Sequence, residues 1–238
     1  MQKKLIFTLL SLMLFVFTVQ IFAEDSDSDG FSDQDEKEIY GTNPNDPKSS
    51  PATLPEGVKS ENIGNIGTSG RTYYYKGIYE IKAAGEDVWV NTDECRFVYK
   101  EVTGDFTVIV KLDSVDTADL WTKAGLMIRN SLVPYAKNIF LCLTNNKGYY
   151  LQARYEPTAI TTAVANTLSG QSGPYWMKLE RTGDTIKAYY SRDKEHWYDV
   201  GTSSIKLKST VYVGMALTSH KKGVLADAKF SGFEIKKQ

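Results

Sequence analysis

Residues Asp25 to Glu36 read DSDSDGFSDQDE, and this spacing suits one kind of chemistry. A hard divalent cation such as calcium takes six to eight oxygens, and a twelve-residue loop presents them at places 1, 3, 5, 7, 9 and 12. Those places hold Asp25, Asp27, Asp29, the backbone carbonyl of Phe31, Asp33 and Glu36. Gly30 at the sixth place permits the sharp turn, and Glu36 closes the cage with both its oxygens. Calcium is the one cofactor this pattern predicts.

The elements around the loop are not those of a helix–loop–helix hand. Residues 1–23 place two lysines before an apolar run and end on the small Ala23, which reads as a secretory signal peptide. Thr8, Ser11, Thr18 and Gln20 dilute the run, which favours cleavage over retention as a membrane anchor. A secreted or cell-surface location is expected, with no membrane attachment after cleavage. Behind the loop, DQDEKEIYG predicts a short helix from near Asp33, its acids suited to the helix dipole and Gly41 its stop. The run DxDxDGxxDxxE…GTNPxDP resembles the bacterial thrombospondin type 3 repeat over residues 25–47. It also resembles one half of a dockerin, without the second loop. We assign residues 24–48 to the repeat and read it as a calcium-stiffened spacer held off from the rest of the chain. Extracellular calcium modules of this kind have dissociation constants of about 0.1–1 mM.

Charge is unevenly divided. Residues 24–46 carry nine acids against Lys37 alone, a net −8. The whole chain is −1 and Lys3 and Lys4 add +2 in the leading segment, so residues 47–238 carry +5. No Lys/Arg-rich block of the kind that grips nucleic acid is present. Cys95 and Cys142 fall in apolar runs, where a free cysteine behaves as a small hydrophobe; sequence leaves open whether they pair. With His196 and His220 as the only histidines and no short ligand spacing, zinc is not expected.

Residues 49–60, Pro- and Ser-rich, read as a linker. From residue 61 to 238, short runs rich in Val, Ile, Tyr, Phe and Thr recur between Gly, Asn and Asp, with clear alternation in FTVIVKL and TIKAYYS and a turn at RTGD. Many short strands at this spacing predict an all-β sandwich or barrel. The runs GDFTVIVKL…WTKAGLMIR, PYWMKLERTGDTIKAYYSRDKEHWYDV and VYVGMALTSH…LADAKFSGFEI resemble a concanavalin A-like lectin/glucanase domain of secreted bacterial proteins, the type labelled after regulation of enolase. The resemblance implies a jelly-roll sandwich of two antiparallel sheets, one of them concave. It supplies no agreed catalytic residues.

Glucanases that share this superfold use two carboxylates, commonly spaced Glu-x-Asp-x-Glu so that both lie on one strand face. The chain lacks that spelling: Glu86–Asp87 and Asp93–Glu94 are adjacent, and Glu180 and Asp184 flank a turn. No GxSxG elbow accompanies either histidine. A non-enzymatic module is therefore expected, with no catalytic residues. Sugar recognition needs aromatic faces and rigid polar groups. In AGLMIRNS, Arg129 shares a face with Met127; in YYLQARYE, Tyr150, Gln152 and Arg154 share one. Arg129, Gln152 and Arg154, with Trp89, Trp121 and His220 at the rim, form the candidate ligand site. The expected partner is a polysaccharide or cell-surface glycan, or another extracellular ligand. The rival readings are a structural or adhesive surface module and a polysaccharide hydrolase or lyase.

Overall fold

A computed structural model describes residues 23–116, 118–144, 147–167 and 175–238. The signal segment proposed for residues 1–23 lies outside it except for its last residue. Among the described residues, fourteen strands follow from residue 59 onward: β1 Lys59–Ile63, β2 Arg71–Tyr75, β3 Ile78–Gly85, β4 Cys95–Thr103, β5 Phe106–Val115, β6 Lys123–Arg129 and β7 Asn138–Thr144. They continue with β8 Gly148–Arg154, β9 Thr162–Asn166, β10 Tyr175–Thr182, β11 Thr185–Ser191, β12 Tyr198–Ser204, β13 Thr210–Thr218 and β14 Lys221–Lys237. They form two seven-stranded sheets, ordered β1-β4-β13-β6-β7-β8-β9 and β12-β11-β10-β5-β14-β3-β2, with every pairing antiparallel. This is the jelly-roll sandwich. The RTGD turn joins β10 to β11, with Gly183 left-handed.

Two-residue alternation decides what goes inside. Val108, Val110 and Leu112 of β5 and Met177 and Leu179 of β10 meet Leu126, Ile128, Leu141, Leu151 and Met215 between the sheets. The first sheet also buries its other face. There Cys95, Phe97, Tyr99, Met127, Phe140, Cys142 and Ala216 form a second apolar cluster with Ile63 and Val88. That face is roofed by the loop 86–94. Its exit from β3 turns on Gly85, at φ 131°, where a Cβ would sit 2.1 Å from the Glu94 carbonyl oxygen. Cys95 and Cys142 are both free and buried. Three strand spacings of about 4.8 Å separate β4 from β7, too far for a disulfide.

The segment ahead of the sandwich is not a spacer. A single helical turn, α1 over Asp33–Asp35 and capped by Ser32, runs into a π-turn over Glu36–Tyr40 that ends on left-handed Gly41. Phe31 and Tyr40 pack edge-on at 5.3 Å, Phe31 meets Tyr73 at 5.5 Å, and Tyr40 meets Tyr75 at 5.1 Å. Lys76 donates from Nζ to the Ile39 carbonyl at 2.8 Å, and the Tyr74 N–H to the Pro51 carbonyl at 2.6 Å. The repeat is docked on the edge strand β2, because its aromatic residues meet the outward tyrosines of that strand. The linker is tied down too: Val58 joins the core, and Lys59 and Ser60 pair with Tyr99 and Val98 in β1.

Candidate functional site

The acidic loop gathers three of the side chains its spacing predicts. Carboxylate oxygens of Asp25, Asp27 and Asp29 lie within 4.8 Å of one another. Glu36 is fully buried, and neither of its oxygens has a hydrogen-bond partner among the described residues; one oxygen each of Asp25, Asp27 and Asp29 is orphaned in the same way. Burial pushes the Glu36 carboxyl up from its ordinary range; the nearby Thr42 hydroxyl offsets part of this, and the charges of Asp29 and Asp27 add to it. Three half-buried aspartates beside a buried glutamate, with no protein cation between them among the described residues, fit a divalent ion. Asp33 stands apart: both its oxygens accept from Ser26, the N–H and the hydroxyl each at 2.7 Å. Phe31 sends its ring to the sandwich, as described above.

On the outward face of the first sheet, β6, β7 and β8 lie side by side in register, and their side chains form rows. One row is Arg129, Asn138 and Arg154. All three converge on Asp93 of the roofing loop. Arg154 reaches it at 2.6 Å and Arg129 at 3.3 Å, while the Asn138 amide donates at 3.0 Å. Both guanidinium groups and the carboxylate are fully enclosed. Burial pushes the Asp93 carboxyl up, and the two guanidinium groups pull it back down. The remaining N–H groups donate to loop carbonyls: Arg129 to Ser131 and Val133, Arg154 to Trp89, Pro134 and Ala159. Arg129 and Arg154 therefore hold the covering loops onto the sheet, beyond the reach of a ligand.

Further along the same face, beginning with Gln152 in the next row, lies a pocket of about 420 Å³ lined by Asp87, Trp89, Trp121, Lys123, Tyr150, Gln152, Ala163 and His220. Four of the six residues singled out by sequence meet here, namely Trp89, Trp121, Gln152 and His220. Trp121 is 38% exposed and meets Tyr150 edge-on at 5.9 Å. Lys123 is almost wholly buried; its Nζ lies 2.7 Å from Asp87 and 5.0 Å from the centre of the Trp89 ring. Gln152 donates its amide N–H to the Val88 carbonyl, and its Oε1 has no partner among the described residues.

His220 comes from the two-residue turn between β13 and β14 and has φ 61°, a conformation a non-glycine residue adopts at a cost of about 1–3 kcal/mol. The turn is anchored by the Thr122 hydroxyl, which donates to the Ser219 carbonyl at 2.9 Å. The His220 ring then stands between two acids, Nδ1 3.1 Å from Asp119 and Nε2 3.6 Å from Asp87. Asp119 is held below the usual carboxylate range, first by the Trp121 N–H and then by His220.

Asp87, Asp119, Lys123 and Tyr150 were not singled out from sequence. Strand parity carried a signal for two of them, since Lys123 shares a face with Arg129 and Tyr150 with Gln152. Asp87 and Asp119 lie on loops, where no period marks them.

A family model described as "Protein of unknown function (DUF1349)" matches residues 68–238. The model of the bacterial TSP3 repeat matches residues 25–47. Comparison with curated proteins gives no match. Similar solved structures include a functionally unknown protein from Saccharomyces cerevisiae, with TM-score 0.61 and 15% identity over 76% of this chain and 97% of that one. The GH43 BlXynB protein from Bacillus licheniformis gives TM-score 0.60 and 17% identity, covering 79% of this chain but only 38% of its own. The carbohydrate binding module CBM66 from Bacillus subtilis gives TM-score 0.52 and 13% identity over 76% of this chain and 96% of the module. At such identities the likeness is one of fold. The matching family description differs from the enolase-regulation label and states no function.

Proposed function

The chain belongs to the DUF1349 family of proteins of unknown function, and from that premise we propose that it is a non-catalytic extracellular module that binds carbohydrate in the aromatic pocket and calcium in the acidic loop. The observation that carries the reading is the pocket itself. Trp89, Trp121 and Tyr150 wall it, while Asp87, Lys123, Gln152 and His220 supply polar groups on rigid strands and anchored turns. A sugar ring has apolar faces for the first set and hydroxyls for the second. Similar sandwiches include a carbohydrate binding module and part of a GH43 protein, which makes the fold compatible with this role; the assignment rests on the side chains.

Against hydrolysis stands the state of the acids. A glycosidase needs one carboxyl raised to act as general acid. Asp119 is shifted the opposite way, and Asp87 is engaged by Lys123. In the loop, Asp25, Asp27, Asp29 and Glu36 would hold the calcium ion, with the Phe31 carbonyl as a further ligand; the ion would neutralise acids that otherwise repel. An extracellular location follows from the same reading, supported by the type 3 repeat and the leading segment of residues 1–23.

The test is affinity electrophoresis through gels containing a panel of polysaccharides, with calcium and with chelator. Retardation by one polymer that disappears in Trp121→Ala is expected. Retardation by none would sink the reading and favour an adhesive or protein-binding role.

A further inference from the structure

The polar atoms of the pocket specify more than a sugar. This step rests on the carbohydrate reading above and concerns charge. A carbonyl oxygen only accepts, so the bond to Val88 fixes the Gln152 amide with its nitrogen toward that carbonyl. Oε1 is then an acceptor without a partner among the described residues, on a side chain with no solvent exposure. Asp87 offers a second acceptor. Its Oδ1 takes the Lys123 ammonium at 2.7 Å and the Val88 N–H at 2.7 Å, whereas Oδ2 has the His220 ring no nearer than 3.6 Å, beyond hydrogen-bond range. Lys123 also bonds the Val88 carbonyl, at 3.4 Å. Gln152, Asp87 and Lys123 are thus gathered around the backbone of one residue, Val88.

An acceptor left unmatched in a buried site is filled by a donor. Sugar hydroxyls donate; carboxylate and sulfate groups have no proton to give and would meet the charges of Asp87 and Asp119. A cationic ligand, which three aromatic walls would otherwise suit, meets the opposite obstacle. Lys123 already sits over the Trp89 ring, and the Lys147 ammonium lies 5.8 Å from the Trp121 ring. We infer that the pocket selects an uncharged sugar ring whose hydroxyls donate to Gln152 Oε1 and Asp87 Oδ2, and that it discriminates against both uronate and amino sugars.

The test uses a glycan array of matched sets, each neutral sugar beside its uronate and its 2-amino counterpart, followed by titration of tryptophan fluorescence for the sets that bind. The expected result is that at least one neutral sugar binds about tenfold or more tightly than either charged counterpart. Equal or tighter binding of the uronate or the amine overturns the inference and leaves the carbohydrate reading intact. Failure of every glycan overturns both. Gln152→Leu, which removes the acceptor and, with it, the amide donor to the Val88 carbonyl, should weaken the neutral sugar about tenfold while lowering the melting temperature by only a few degrees; unchanged affinity overturns the inference. Asp87→Asn should bring the uronate to within about threefold of the neutral sugar, and undiminished discrimination in that variant counts against the role given to Oδ2.

Discussion

Two polar clusters share one face of the first sheet and one covering loop, yet one is sealed and the other open. Asp93, near the end of the loop, lies under Arg129, Asn138 and Arg154 with every charge enclosed. Asp87, near its start, faces Lys123 and His220 across a pocket. Met127 and Phe140, side by side in β6 and β7, are followed in the same row by Gln152 of β8, where the pocket begins. The difference lies in what covers each cluster. Around Asp93 the guanidinium groups are matched to a carboxylate and a ring of loop carbonyls, and the Asn138 Oδ1, which has no partner among the described residues, is sealed in with them. Around Asp87, the Gln152 Oε1 is left over in the same way but belongs to a side chain that lines a pocket. Neither an arginine on a strand nor an unmatched amide is by itself a guide to a binding face; an unmatched amide on the wall of an open cavity is a better one.

Breaking the sealed cluster should have the largest effect. Asp93→Ala removes the counter-charge of two buried guanidinium groups, which costs about 3–5 kcal/mol. Denaturant unfolding should show the loss, and any loss of sugar binding should follow the unfolding. A loss under about 1 kcal/mol would mean that the loop carbonyls alone sustain the arginines. In the open cluster the expectation is reversed: Trp121→Ala should weaken sugar binding about thirtyfold, roughly 2 kcal/mol. Its stability should change by less than about 0.5 kcal/mol, since the side chain is partly exposed. If stability falls with affinity, Trp121 supports the fold and the contrast between the clusters dissolves.

The acidic loop supplies a third case, in which the clustered acids have no ion-pair partner among the described residues. Asp25, Asp27, Asp29 and Glu36 keep orphaned oxygens, and the same loop carries Phe31 onto Tyr73 of the sandwich. An ion bound at tenfold excess over its dissociation constant raises the melting temperature of a domain this size by about 3–6 °C. Calcium should produce that rise in the intact protein, and Glu36→Gln should abolish it. Phe31→Ala should uncouple the two parts, so that calcium still binds but no longer protects the sandwich. A full rise in Phe31→Ala would show that the aromatic contact carries no coupling.

Much of this was legible in the residues, and what was not has a common cause. Alternation gave the strands and their faces: Leu126 and Ile128 inward, Met127 and Arg129 outward. The loop pattern named the acids that lie together, while Asp33, which the pattern makes a ligand, is drawn off by Ser26. Parity tells which way Arg129 and Arg154 point, but their burial depends on loops 86–94 and 130–137, whose course is set by long-range carbonyl bonds. Docking of the repeat was hidden for the same reason. Tyr73 and Tyr75 alternate outward as exposed tyrosines do, and only the approach of Phe31 and Tyr40 covers them.

The smallest effect concerns the rim of the open cluster. Asp119 accepts from the Trp121 N–H at 2.9 Å and faces His220 at 3.1 Å, and these hold its carboxyl below the ordinary range. A carboxyl lowered in the folded state stabilises it above the unfolded value, about pH 3.9. That contribution is lost as pH falls through the lower folded value. At neutral pH, Asp119→Asn should lower the melting temperature by about 1–2 °C, because a partly exposed acid is screened by solvent. The gap between variant and wild type should close as the pH is taken below about 3.9 toward acid unfolding, and carboxyl titration by NMR should give Asp119 a midpoint under the ordinary range. A gap that persists unchanged through that window would assign the effect to lost packing around Trp121, and the anchoring of the pocket rim would then rest on Thr122 and Ser219.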